Sequence, residues 1–146
     1  MISRSRRRKL TPAEFRIERL RIARLSAPLL RELQPDAAQV SIQLTFANDM
    51  FLSPTTRRFT VHPPAQAYFV YACAFGDCDG MHDLNDVVHG LLRTGESYAS
   101  GSRRCAGQKR FGVGQHRDCG LGLTYAVTVL YLAARLEKPW QPVAAA

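Results

Sequence analysis

The chain has 146 residues, a hydrophobic fraction of 46% and a formal net charge of +8, values that suit one ordinary domain and exclude wholesale disorder. The longest uncharged stretch, Cys119 to Ala134, holds glycines and threonines and is too short for a membrane span. The charge is uneven: residues 1–31 hold ten basic groups against Glu14 and Glu18, and the remainder is balanced. A basic arm on a neutral body points to an anionic partner.

The first ten residues, with Arg4, Arg6, Arg7, Arg8 and Lys9, read as a disordered basic tail. Thr11 then opens "TPAE", a capping box with proline at the first helical position, which predicts a helix. Its apolar stripe is Phe15, Ile22, Leu29 and Leu33, with Arg21, Arg24 and Arg31 opposite. Pro28 predicts a kink, or a restart capped by Ser26.

From Val40 the period changes to two. Val40, Ile42, Leu44 and Phe46 alternate with polar residues, the pattern of a half-buried strand. Residues 57–62 and 68–74 read as two more strands. Asp83 reads as the N-cap of a helix over 84–93, with Gly95 beyond its end. Residues 100–105 and 119–132 complete the strands, the latter with Leu121, Leu123, Tyr125, Val127, Val129 and Tyr131 on one face. Between them, 106–118 is a basic loop or hairpin. This order predicts an α+β fold: an N-terminal basic helix and a mainly antiparallel sheet with a second helix. One globular domain spans 11–140, and 141–146 form a flexible tail.

Cys73 and Cys78 frame "CAFGDC", followed by Asp79-Gly80. A strand entering a tight turn that returns a second thiolate resembles the knuckle of zinc ribbons, where backbone N–H groups point at the sulfurs. Cys105 and Cys119 form the second pair. If their strands meet through a hairpin, all four cysteines can surround one structural Zn²⁺. His82 or His116 replacing one cysteine, and no metal at all, are the alternatives.

Asp77, Asp79, His82, Asp83, Asp86 and His89 also allow a hydrolase-like reading of segment 77–89. Each has a simpler structural role, however, in turn, cap or core. The anion-binding candidates are Arg16 and Arg24 on the helix, the tail, and Arg103, Arg104, Lys109, Arg110 and Arg117 around the second cysteine pair. The expectation is therefore a zinc-stabilised, non-enzymatic binding protein in the cytoplasm that contacts nucleic acid or another acidic partner. The alternative is an interaction module that uses helix 12–33 or a sheet edge against a protein, a second copy of the chain included.

Overall fold

The computed structural model describes residues 12–47, 54–75, 78–110 and 114–132. The basic tail with Arg4, Arg6, Arg7, Arg8 and Lys9, the Thr11 cap, Asp77 and the C-terminal tail lie outside these residues. Of Arg110 and His116 only the backbone is described.

Helix α1 runs Pro12–Leu25, with Glu14 in its first turn and Arg24 in its last, each charge favourable to the helix dipole. It ends ahead of Pro28, where Ser26 and Ala27 turn back on Ala23 and Arg24. A single turn, α2 (Leu30–Leu33), follows. The helix thus restarts, but at Leu29 and without a side-chain cap, so Ser26 does not serve as one. The expected apolar stripe is also corrected. Arg16 and Leu20 are buried, whereas Phe15 and Ile22 are more than half exposed. At 100° per residue Phe15 and Ile22 share one side, but Ile17 falls roughly opposite. No face collects enough apolar surface to decide the packing, and Leu20 settles it.

Strand β1 (Ala37–Ala47) matches its alternation: Val40, Ile42, Leu44 and Phe46 are all 1% exposed or less. It is flanked by β2 (Thr55–Val61) and by the long strand β8 (Gly122–Tyr131). Beyond β8 lies β5 (Tyr98–Arg104), giving an antiparallel sheet of order β2-β1-β8-β5. Ile42 is level with Phe59 on one side and Val127 on the other. One face carries the core, and the other shows Ser41, Gln43, Thr45, Thr124 and Ser102, as antiparallel sheets with one wet face do.

The core face is covered by a small hairpin and a helix. The strand expected over 68–74 shortens to β3 (Val70–Ala72). Phe69 stops pairing with a strand and donates its N–H to the Asn85 side chain at 2.8 Å. Its partner β4 (Met81–Asp83) was not foreseen, because three residues carry no period. Helix α3 (Asn85–Thr94) buries Val88, Leu91 and Leu92 and ends at Gly95 with φ 74°, a left-handed cap. Its N-cap is Leu84, not Asp83. Asp83 instead accepts from the Asn85 N–H at 2.8 Å. Between β5 and β8 the chain forms the expected hairpin, β6 (Gln108–Arg110) with β7 (His116–Asp118). No helix among the described residues is long and apolar enough to cross a membrane.

Candidate metal centre

Four chain segments bring the cysteines together. Cys73 leaves β3, and its N–H is bonded to the Gly80 carbonyl at 3.0 Å, so the β3–β4 turn closes with Cys78 inside it. Cys105 follows β5 and donates to the Leu121 carbonyl at 2.9 Å. Cys119 follows β7 and donates to the Gly107 carbonyl at 2.9 Å. The two halves are clasped by Asp79, whose N–H meets the Gln108 carbonyl at 3.1 Å and whose carboxylate accepts the Gln108 N–H at 2.7 Å.

All four Sγ atoms lie within 4.8 Å of one another. Cys73 and Cys119 are 3.7 Å apart, and Cys78 and Cys105 3.6 Å. Sulfurs about 2.3 Å from a shared ion stand about 3.8 Å apart in a tetrahedron, whereas a disulfide needs about 2.05 Å. These two separations match that tetrahedral spacing and no pair exceeds 4.8 Å, so this Cys₄ cluster can hold a metal.

Each sulfur also receives a backbone N–H from the residue two positions on. Gly80 donates to Cys78 at 3.2 Å and Gly107 to Cys105 at 3.4 Å, while Phe75 and Leu121 donate to Cys73 and Cys119. Such donors favour thiolate over thiol. Burial works the other way. It pushes the Cys73 thiol up to about 12 and the Cys78 thiol higher still, the neighbouring cysteines adding to the rise. Burial acts upward on Cys119 too, but the Leu121 N–H and the three surrounding thiols outweigh it, and its pKa falls below the ordinary value. Buried sulfurs dressed for negative charge and crowded against one another call for a cation.

Glycine makes the crowding feasible. A Cβ on Gly80 would strike Cys105 Sγ, and one on Gly107 would strike the Gly80 backbone. The two turns pack glycine on glycine. Cys78-Asp79-Gly80 was legible as a knuckle; Cys105-Ala106-Gly107 was missed, although it repeats the same C-x-G.

Compared with known protein families, curated proteins and solved structures, the chain matches none. The site therefore stands on its own geometry.

His82 is not a member of the sulfur cluster. It is 3% exposed, 5.8 Å from the Phe46 ring, and its pKa is pulled to about 4 by burial and by the charges of Arg103 and Arg16. A histidine protonated more readily unfolded than folded costs stability as pH falls. Its contribution is complete above about 6.5 and is lost between there and about 4, where roughly 3 kcal/mol disappears. Urea midpoints recorded from pH 7 to pH 4 should fall more steeply for the natural protein than for His82→Gln; parallel curves would contradict this role.

The remaining polar residues of segment 78–89 are committed to structure. Asp86 bridges Arg103 at 3.0 Å, Arg103 also donates to the Asp83 carbonyl, and His89 meets the Ala67 carbonyl at 3.2 Å. Among the anion candidates Arg16 is buried, with Nε and Nη1 unpartnered, so it does not present its charge to solvent. Arg103 is occupied by Asp86. Arg24 lies 5.9 Å above the Tyr68 ring, and Lys109 4.0 Å above Phe75. Arg104 and Arg117 are exposed, and Arg117 sits level with Lys109 across the β6–β7 hairpin.

Proposed function

We propose that the four cysteines bind one structural Zn²⁺ in a zinc-ribbon-like arrangement, and that the protein is a non-enzymatic nucleic-acid-binding module. The observation that carries the metal reading is the tetrahedron-sized sulfur cluster with one N–H on each sulfur. A shell of four thiolates leaves zinc no open position for substrate, so its role is to hold the fold.

The nucleic-acid reading is supported by what surrounds the cluster. Arg104, Lys109, Arg110 and Arg117 come from β5 and the β6–β7 hairpin, where phosphates can approach a surface the metal keeps rigid. Lys109 and Arg117 sit level with each other on one hairpin, which places two cations on the same stretch of surface. Four thiolates on Zn²⁺ carry net negative charge beside these cations, and a phosphate backbone offers the same complement. Anisotropy of a labelled oligonucleotide should show affinity falling steeply with salt. Replacing Arg104 or Arg117 by glutamine should lower the salt slope by about one each. Salt-independent binding, or none, would overturn the reading.

A second reading rests on α1. Phe15, Ile17, Ile22 and Leu25 are all more than half exposed, the kind of surface that docks on a protein. Association insensitive to salt and abolished by Ile22→Glu would favour it.

A further inference from the structure

A groove of about 420 Å³ runs along the free edge of β2, walled by the end of α1, the 62–68 segment and β3. Its lining includes Arg24, Arg58, Phe59, His62, Tyr68 and Tyr71. No carboxylate lines it, and neither arginine makes an ion pair among the described residues. Phe59 and Tyr71 are stacked at 4.2 Å, and Arg24 spreads over Tyr68 at 5.9 Å. Tyr71 is 7% exposed, yet its hydroxyl has no hydrogen-bond partner among the described residues. The charge of Arg24 reaches that hydroxyl.

A buried hydroxyl without a partner is uncommon in a folded protein. Here it belongs to a residue that lines a groove of ligand size, with cations at the mouth and aromatic rings in the wall. Among the described residues β2 ends the sheet, so its outer edge adds backbone donors and acceptors. Positive charge asks for phosphate, rings ask for a planar partner, and the hydroxyl and strand edge can bond polar base atoms.

We propose that this groove seats one nucleotide, with its phosphate at Arg24 and Arg58 and its base against Tyr68 within reach of the Tyr71 hydroxyl. The proposal rests on the nucleic-acid reading for its source, a single strand, and assigns that strand a second contact away from the metal centre.

The test uses the full chain, labelled for NMR, with adenosine monophosphate and a short single-stranded oligonucleotide as probes. Saturable shifts at His62, Tyr68 and Tyr71 with both probes, tighter for the oligonucleotide, are expected. Tyr71→Phe removes only the hydroxyl. It should weaken either probe by about 5–10-fold while leaving thermal stability equal or higher, because no protein partner is lost. Arg24→Gln should weaken binding about 10-fold and reduce the salt slope. Oligonucleotide binding with unchanged affinity in both variants, and shifts confined to residues 104–117, overturns the groove and leaves the nucleic-acid reading intact. Monophosphate binding in the groove without oligonucleotide binding supports the groove and removes the strand as its source. No saturable shift at these residues with either probe up to about 10 mM, weaker than any useful site, overturns the proposal outright.

Discussion

Cys105→Ser is expected to lose its metal and with it the native fold near physiological temperature. Cys105 is 5% exposed, Cys78 is fully buried, and both belong to the main core cluster. The cluster ties the β3–β4 turn to the end of β5 and the start of β8, two strands that already pair in the main sheet, so the β3–β4 hairpin depends on it most. Structural zinc contributes on the order of 10–16 kcal/mol of apparent binding energy, against a net stability of about 5–15 kcal/mol for a domain. Even if the β2-β1-β8-β5 sheet persists, a loss of roughly 5 kcal/mol should lower the thermal midpoint by about 15–25 °C. Removing the metal from the natural protein with a strong chelator should reproduce the effect, and added zinc should reverse it. A Cys105→Ser protein that melts like its parent would show that the cysteines are ordinary core residues.

Gly80→Ala and Gly107→Ala are expected to break the centre without touching a ligand. The new methyl at residue 80 would fall on Cys105 Sγ and 3.2 Å from Cys78 Sγ, so two ligands must move. At residue 107 the obstacle is the Gly80 backbone, with Asp79 Oδ1 at 2.9 Å, and backbone yields less than a side chain. Neither glycine has positive φ, so the penalty is steric and not conformational. Competition with a chromophoric chelator should show zinc affinity reduced by about 10–100-fold, the usual effect of disturbing a metal's supporting shell. Gly90→Ala is the control. Nothing lies within 4 Å of its added Cβ, and within helix α3 it should stabilise by about 0.5–1 kcal/mol. Equal zinc affinity in all three variants would contradict the packed-turn account.

The parts of this arrangement that were legible in the sequence are those with a long period or a special residue. β1 announced itself because four alternate apolar residues must face one core. Pro28 and Gly95 marked helix ends through the hydrogen bond one cannot make and the conformation the other adopts. The four cysteines and the hairpin that joins the second pair were also readable. What escaped was decided by tertiary contact. β4 is three residues long and exists because its Met81, His82 and Asp83 pair with Ala72, Tyr71 and Val70 of β3. The inward face of α1 could not be read from apolar spacing, since Leu20 and buried Arg16 were selected over Phe15 and Ile22. The N–H groups of Phe75 and Leu121 have no side-chain signature, although they complete the shell around the sulfurs. Arg103 looked like a phosphate ligand until Asp86 was found beside it.

The most direct test of the central claim is metal analysis of the purified full-length protein, followed by cobalt substitution and its absorption spectrum. The account predicts one zinc per chain and, for cobalt, the intense charge-transfer and ligand-field bands of a tetrahedral four-thiolate site. A metal-free folded protein whose four thiols all alkylate freely, or one whose cysteines are paired as disulfides, would contradict it.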